Sequence, residues 1–184
     1  MRGDGLPRVA MQHHAPHLPA GWQEDMATIA APVDWLGLNY YTRKLIAPAE
    51  GPWPGLREVE GPLPKTQMGW EIYPRGLYHF LSFAHAHYTR GLPLFVTENG
   101  MAAPDAPGIP DTARIGYIEN HLAELRRALD KGVPVAGYFL WSLLDNYEWA
   151  FGYDKRFGLV HVDFDSLQRR PKASYEALVQ ALAR

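Results

Sequence analysis

Residues 92–100 read Leu-Pro-Leu-Phe-Val-Thr-Glu-Asn-Gly, an apolar run that ends in hydrogen-bonding side chains. Because apolar and polar positions do not alternate, the run is typical of a parallel strand that is covered on both faces. Glu98 then lies at the carboxyl end of a buried strand, which is where β/α barrels carry their functional side chains. Taken alone, the stretch also fits a second interpretation, in which Glu98 simply pairs with a nearby arginine.

Two other segments have the same design. Residues 33–42 read Val-Asp-Trp-Leu-Gly-Leu-Asn-Tyr-Tyr-Thr, and residues 133–142 read Val-Pro-Val-Ala-Gly-Tyr-Phe-Leu-Trp-Ser. Strands are predicted over 33–38 and 133–140, and each runs directly into polar or aromatic side chains. Packing would explain any one of these strand ends, but three of them in one chain predict a shared cleft.

Three amphipathic helices are predicted around these strands. One runs from an N-cap at Asp111 to Gly132, another from Pro74 to Gly91, and a third opens at Pro171. Their predicted buried positions are Ile115, Ile118, Leu122, Leu125 and Leu129 in the first, Leu77, Leu81, Ala84 and Tyr88 in the second, and Tyr175, Leu178, Val179 and Leu182 in the third. A short helix is predicted over 22–30, and loops over 47–65 and 102–111. The alternating order predicts an α/β fold with a parallel sheet and right-handed crossovers.

The composition excludes several classes of function. The 184 residues are 47% hydrophobic with a formal net charge of −2, and no basic stripe favours nucleic acid as a partner. The chain contains no cysteine, which excludes disulfides and thiol chemistry and fits a cytoplasmic protein. Neither a membrane span nor a signal peptide is predicted. His13, His14 and His17 suggest a metal site, but Pro16 and Pro19 oppose the helix that would align them, so neither a metal nor a cofactor is expected.

Four motifs along the chain carry a family resemblance. Residues 37–42 (Gly-Leu-Asn-Tyr-Tyr-Thr), 69–74 (Gly-Trp-Glu-Ile-Tyr-Pro) and 97–100 are followed by 141–164, which include Trp-Ser-Leu-Leu-Asp-Asn-Tyr-Glu-Trp and Lys-Arg-Phe-Gly-Leu-Val-His-Val-Asp-Phe. From about Asp4 onward the chain resembles the C-terminal part of family 1 glycoside hydrolases, the β-glucosidase and β-galactosidase family. The resemblance implies a TIM (β/α)8 barrel, in which residues 1–184 form the C-terminal part of a single domain, about strands 6 to 8 with their helices.

The resemblance also implies a reaction and its catalytic residues. The family hydrolyses terminal β-D-glycosides with retention of configuration, through a covalent glycosyl-enzyme intermediate. Glu98 matches the family nucleophile, and Tyr41 matches the tyrosine whose hydroxyl donates a hydrogen bond to that carboxylate. A donor at that position favours the ionised form that a nucleophile needs. Asn39 matches a strand-end amide beside the reacting centre.

The same resemblance implies a set of substrate-binding residues. Glu148 and Trp149 match the pair that hydrogen-bonds hydroxyls of the glycone ring. Trp141 matches the indole beneath the sugar, Phe157 a ring that closes the same pocket, and Trp70 the aromatic residue on the aglycone side. For Trp70 and Phe157 a purely structural packing role stays open.

One part of the family pattern is absent from the 184 residues. A retaining glycosidase needs a second carboxyl group about 5 to 5.5 Å from the nucleophile, to act as acid and base. The family takes it from an Asn-Glu-Pro motif on the fourth strand, and this sequence contains no Asn-Glu-Pro. Glu71 and Glu148 also lie on family motifs near the predicted cleft, but both match binding positions.

Three hypotheses follow from this pattern. The chain is a C-terminal piece of a family 1 β-glycosidase, one chain of a two-chain glycosidase, or a non-catalytic sugar-binding module. The first is favoured over the third because Glu98 and Tyr41 both persist. The expected partners are a β-glycoside substrate and either the N-terminal barrel half or a second copy, since three strands leave open edges and an uncovered sheet face. The residues predicted to lie uncovered are Leu36, Leu38, Phe95 and Phe139.

Overall fold

The computed structural model describes residues 6–89, 91–105 and 110–183, and these contain seven strands and five α-helices. The strands are β1 (Leu36–Asn39), β2 (Leu45–Pro48), β3 (Leu56–Val59), β4 (Leu94–Asn99), β5 (Val135–Leu140), β6 (Val160–Val162) and β7 (Arg169–Pro171). The helices are α1 (Arg8–His14), α2 (Trp22–Ile29), α3 (Pro74–Ala84), α4 (Thr112–Asp130) and α5 (Ala173–Leu182). Short 3-10 turns cover Ala15–His17 and Trp149–Phe151, and a π-helical turn covers His85–Thr89.

The three predicted strands form one parallel sheet in the order β1-β4-β5. Helix α3 lies between β1 and β4 in the chain, and α4 lies between β4 and β5, so both connections are helical crossovers as predicted. Strand β4 therefore has a hydrogen-bonded neighbour on each side. The carboxyl ends of all three strands meet at one edge of the sheet, and this places residue Glu98 between the segments that follow β1 and β5.

The outer face of this sheet is the main hydrophobic core. Leu94 and Val96 of β4 are fully buried against Leu77 and Leu81 of α3, and Leu36 and Leu38 pack on the same cluster. The prediction that Leu36 and Leu38 lie uncovered is therefore wrong. Successive strand residues point to opposite faces, and these two leucines point toward the helices.

The inner face of the sheet is largely open. The side chains of Trp35 and Thr97 stand beside Gly37, and those of Phe95 and Phe139 stand beside Gly137. Trp35 is 51% exposed and Phe139 is 58% exposed, which confirms the prediction for Phe139, whereas Phe95 is half-buried.

Two antiparallel hairpins were not predicted. Strands β2 and β3 pair within and beside the segment that the sequence indicates as a loop, and β6 pairs with β7 near the C-terminus. Because Pro171 is the last residue of β7, the C-terminal helix begins at Ala173 and not at Pro171. None of the helices in the described parts of the chain is both long and apolar enough to cross a membrane.

The predicted helix faces are correct in part. Leu77, Leu81 and Ala84 are buried, but Tyr88 is 59% exposed because α3 gives way to the π-helical turn before it. Ile118 of α4 is buried, as predicted. The ends of the predicted apolar stripes project into solvent, namely Leu129 of α4 and Val179 and Leu182 of α5.

Polar residues share the buried face of α4, a feature the sequence analysis did not predict. Arg114, Tyr117 and His121 are at most 2% exposed. Asp111 is the N-cap residue, but its carboxylate makes no capping bond. It pairs instead with the Arg114 side chain and accepts a hydrogen bond from the Ser174 backbone N–H at 3.2 Å, so it joins α4 to α5.

Candidate active site

Glu98 lies at the end of β4, where the strand register is irregular. Asn39 of β1 is aligned with Glu98, and the register shifts by one residue between Leu38 and Asn39. An irregularity of this kind re-aims the side chains that follow it. The Tyr41 hydroxyl, just beyond β1, donates a hydrogen bond of 2.6 Å to Glu98 Oε2. The two residues that the sequence predicts as nucleophile and partner are thus in direct contact.

Tyr41 is held among aromatic rings. Its ring centroid lies 5.4 Å from that of Trp70 and 6.0 Å from that of Phe157, and the latter two rings are 6.3 Å apart. Burial, the hydrogen bond to Glu98 and the nearby carboxylates raise the pKa of Tyr41 well above its ordinary value, so the hydroxyl keeps its proton and remains a donor. Phe157 is only 1% exposed, so its ring serves as packing beneath Tyr41 and Trp70.

Asn39 has a side-chain partner on the neighbouring strand. Its Oδ1 accepts a hydrogen bond of 2.6 Å from the Thr97 hydroxyl. Asn39 as a residue is exposed at this strand end.

Glu148 brings a second carboxylate near Glu98. It lies in the loop that follows β5, its backbone N–H donates to the Gly152 carbonyl at 2.6 Å, and its side chain is 8% exposed. Burial raises the pKa of the Glu148 carboxyl, and the negative charge of Glu98 raises it further. A carboxyl group whose pKa is raised by burial and by a neighbouring carboxylate is a common feature of enzyme active sites.

The two remaining tryptophans differ in how closely they are tied to this group. The Trp141 backbone N–H donates to the Asn99 carbonyl at 3.0 Å, which joins the start of the β5 loop to the end of β4. A larger residue at position 100 would clash, because its Cβ atom would lie where the Trp141 carbonyl oxygen is. Trp149 begins the 3-10 turn of the same loop and is 82% exposed.

Glu71 is held beside the segment that follows β1. Its carboxylate accepts hydrogen bonds of 2.7 Å from the Arg43 side chain and from the Leu63 backbone N–H. The Arg43 guanidinium, followed by the Leu63 amide, lowers the pKa of this carboxyl. Glu71 is therefore a structural anchor between the segment after β1 and the segment after β3.

A hydrogen-bond network beneath Glu98 was missed by the sequence analysis. Asn99 is fully buried, and its Nδ2 donates to the Tyr40 carbonyl at 2.6 Å and to the Tyr117 hydroxyl at 3.1 Å. Its Oδ1 accepts from the Tyr138 hydroxyl at 2.7 Å. Positions 114, 117 and 121 have helical spacing, so a pattern that counted polar residues would have found this buried face of α4.

A second polar cluster lies beside the loops that frame the cleft. Asp105, Asp145 and His161 are close enough to share a cation. The Lys172 ammonium already lies 2.8 Å from Asp105 Oδ2 and 2.9 Å from Asp145 Oδ1, so the cluster reads as an ion-pair network. Asp145 also accepts from the Gly158 backbone N–H at 2.9 Å, which fixes the segment that carries Phe157.

Comparisons with known proteins agree with this architecture. The sequence model of Glycosyl hydrolase family 1 matches residues 6–182. Beta-glucosidase A of Thermotoga maritima is 41% identical over 182 residues, which are 94% of this chain and 39% of the relative. A bifunctional beta-D-glucosidase/beta-D-fucosidase of Bifidobacterium breve is 43% identical over 173 residues, which are 83% of this chain and 37% of the relative.

A solved structure gives the same result for the fold. The Thermotoga maritima family 1 β-glucosidase in complex with isofagomine lactam superposes with a TM-score of 0.91 at 39% sequence identity, over 99% of this chain and 41% of that protein. The chain thus spans about two fifths of the length of these relatives. It has the fold of the C-terminal part of their TIM barrel.

Proposed function

The chain belongs to glycosyl hydrolase family 1, and from that premise we propose that it supplies the nucleophile and part of the sugar-binding surface of a retaining β-glycosidase. The observation that carries the proposal is the 2.6 Å hydrogen bond from the Tyr41 hydroxyl to Glu98 Oε2. A donor at this distance holds one carboxylate oxygen in place and so orients the group for attack.

The proposed reaction has two steps. In the first, a Glu98 oxygen bonds to the anomeric carbon while the glycosidic C–O bond breaks and an acid elsewhere in the barrel protonates the leaving oxygen. In the second, the conjugate base of that acid takes a proton from water, the water oxygen bonds to the anomeric carbon and the bond to Glu98 breaks, which yields the sugar with its original configuration. The acid is expected from the barrel segment that contributes the family's Asn-Glu-Pro motif, because these 184 residues lack that motif.

The proposed substrate is a β-D-glucoside or a closely related β-glycoside, since named relatives are β-glucosidases and one is also a β-fucosidase. Glu148 would accept hydrogen bonds from two neighbouring hydroxyls of the glycone, with Trp149 beside it. Trp141 would offer a flat apolar face, and Trp70 would border the aglycone. Phe157 would act through packing, since it is already buried within the chain.

The proposed partner is the remainder of the barrel. Trp35 and Phe139 on the inner sheet face are more than half exposed, and large apolar patches are seldom left in water. The assembled enzyme is defined as residues 1–184 combined with the N-terminal barrel segment that the relatives contain. The two parts can be on one chain or on two.

Azide rescue of Glu98→Ala in the assembled enzyme tests the proposal. The variant should be almost inactive on an activated aryl β-glucoside, because no carboxylate can attack the anomeric carbon. Azide fits the space left by the side chain and should restore turnover, giving a glycosyl azide of inverted configuration from a single displacement.

Glu148→Ala is the matched control, because it removes a carboxylate from the same cleft. It should weaken catalysis but yield no glycosyl azide of inverted configuration. If azide rescued Glu148→Ala and not Glu98→Ala, the assignment of the nucleophile would be overturned.

A further inference from the structure

The Tyr117 hydroxyl lies between the ends of two strands that carry the proposed catalytic groups. It donates a hydrogen bond of 3.1 Å to the Tyr41 carbonyl, just beyond β1. It accepts one of 3.1 Å from Asn99 Nδ2 at the end of β4. A hydroxyl offers one proton and two lone pairs, so it can donate to one segment and accept from the other at the same time.

The ring that carries this hydroxyl is firmly held. Tyr117 is 2% exposed, and its ring stacks on His121 with centroids 3.8 Å apart. His121 Nδ1 lies 2.7 Å from the Tyr117 carbonyl, which fixes the imidazole against the same turn of α4. Burial raises the pKa of Tyr117 far above the physiological range, so the hydroxyl stays protonated and can donate.

The Tyr117 hydroxyl binds just beyond the last backbone hydrogen bond between β1 and β4. The last backbone bond across β1 and β4 runs from the Tyr40 N–H to the Glu98 carbonyl at 2.9 Å. One residue further, the Tyr41 carbonyl is bound by Tyr117. Tyr117 therefore spans the two segments at the level where Tyr41 and Glu98 form their own side-chain bond.

We propose that Tyr117 is a positioning residue, whose hydroxyl sets the distance between Tyr41 and Glu98 and so the hydrogen bond that prepares the carboxylate. The inference rests on the proposed function of Glu98. Tyr117 touches neither the sugar nor the reacting atoms, and acts through the backbone of Tyr41 and through Asn99. Catalytic geometry is sensitive to displacements of about 1 Å, which can cost up to about a hundredfold in rate.

The test is Tyr117→Phe in the assembled enzyme, compared with Tyr138→Phe. Both changes remove one hydroxyl that bonds to Asn99, but only the Tyr117 hydroxyl also binds the Tyr41 carbonyl. Tyr117→Phe should lower kcat about tenfold with KM changed by less than about twofold, because the lost bond positions Glu98 and not the proposed sugar contacts at Glu148 and Trp141. Tyr138→Phe should keep kcat within about twofold of the parent.

A double variant separates positioning from general weakening of the fold. In a Tyr41→Phe background the bond to Glu98 is already gone, so adding Tyr117→Phe should lower kcat by less than about a further twofold. A tenfold loss that persists in the Tyr41→Phe background would overturn the proposal, as would an unchanged kcat for Tyr117→Phe alone.

Stability is measured in parallel, because both Phe variants lose a buried hydrogen bond. Assays are run about 10 °C or more below the lowest melting temperature, so that unfolding does not lower kcat. Equal loss of kcat in the Tyr117 and Tyr138 variants would contradict the inference. Such a result would mean that kcat depends on the hydrogen bonds to Asn99 in general and not on the bond from Tyr117 to Tyr41. If azide rescue assigns Glu98 but the double variant is additive, only the positioning role fails. If rescue does not assign Glu98, the proposed function itself fails.

Discussion

The end of β4 and the loop after β5 are neighbours, yet they differ in how completely the chain surrounds them. At the end of β4, Glu98 and Asn99 are bonded to side chains from the segment after β1, from α4 and from β5. In the loop after β5, Leu143, Tyr147 and Trp149 are 59%, 62% and 82% exposed. The surroundings of Glu98 are thus nearly complete within the described residues, whereas the loop after β5, which is the proposed sugar-binding loop, has large exposed side chains.

The cause of this difference is the position of each strand in the sheet. Strand β4 is central, with β1 and β5 on either side and helices α3 and α4 over its outer face. Strand β5 is at an edge of the described sheet, and its inner-face residue Phe139 is 58% exposed. A side chain at a central strand end finds partners on both sides, and one at an edge needs another segment to supply them.

The largest consequence of this contrast concerns catalysis by the 184-residue chain alone. We expect its kcat/KM on an aryl β-glucoside to be at least about a thousandfold below that of the assembled enzyme, because the N-terminal segment is expected to supply both the acid, which contributes about 10² to 10⁴, and the strands that complete the glycone pocket. Steady-state assays of both proteins on cellobiose and on the aryl glycoside measure this. Efficient cellobiose turnover by the purified chain would mean that Glu71 or Glu148 serves as the acid.

Lowering the pH should destabilise the fold, because His121 is buried beneath β4. Burial lowers the pKa of this fully buried histidine to about 4, from an ordinary value of 6.5. The unfolded chain therefore takes up the proton first as the pH falls, and stability is lost between about pH 6.5 and pH 4. Between pH 7 and pH 5 the loss should be about 2 kcal/mol in the free energy of unfolding.

Urea unfolding of the assembled enzyme at the two pH values checks this expectation. In His121→Leu the free energy of unfolding should fall by about 2 kcal/mol less between pH 7 and pH 5 than it does in the parent. His79 is exposed on α3, so His79→Leu should show the same fall as the parent. An equal acid sensitivity in the parent and in His121→Leu would show that other groups cause it.

Removing Glu148 tests the sugar-binding side of the contrast. In the assembled enzyme, Glu148→Ala should lower kcat/KM by at least about tenfold, or about 1.4 kcal/mol, because sugar hydroxyls lose a charged acceptor. Glu119→Ala removes a carboxylate from the exposed surface of α4 and should keep the parent's kinetics. Parent-like kinetics of Glu148→Ala on β-glucosides and β-fucosides would show that its carboxylate faces away from the glycone.

The last consequence concerns association of the chain through the open sheet face. The isolated chain should self-associate, and Phe139→Thr should reduce the associated fraction, because this ring is the exposed apolar group on the inner face of β5. Leu94→Ala is the contrasting change on the outer face, where a fully buried leucine is lost, and it should destabilise the fold by about 2 to 5 kcal/mol. Light scattering that finds the parent chain monodisperse at 20.8 kDa would contradict the expected self-association.

Much of the sheet could be predicted from local sequence, because each parallel strand is an unbroken apolar run with a polar end. The strands begin later than predicted, since Val33 and Trp35 are about half exposed and precede the ladder. The two antiparallel hairpins could not be predicted in this way. Strand β3 reads Leu-Arg-Glu-Val and is mostly exposed, so its pairing with β2 leaves no clear pattern of burial.

The site residues that lie within sequence motifs could be predicted. The residues that only the folding of the chain brings together could not. Thr97 to Gly100 and Tyr41 lie in recognisable motifs, and the structure brings Glu98 and Tyr41 into contact, although their catalytic roles stay predictions. Tyr117 and Tyr138 meet Asn99 from a helix and another strand, and no local pattern relates these three positions. In addition, a pattern of apolar residues predicts only apolar buried positions, so it gives no sign of buried polar groups.

The central claim, that Glu98 is the nucleophile, is tested most directly by trapping the covalent intermediate. The assembled enzyme is incubated with a 2-deoxy-2-fluoro β-glucoside that has an activated leaving group, digested, and analysed by tandem mass spectrometry. We expect one fluoroglucosyl ester per active site on the peptide that contains Thr97 to Gly100, located at Glu98 and absent from Glu98→Gln. An ester on any other carboxylate, Glu148 and Glu71 included, or an enzyme inactivated without a label at Glu98, would contradict it.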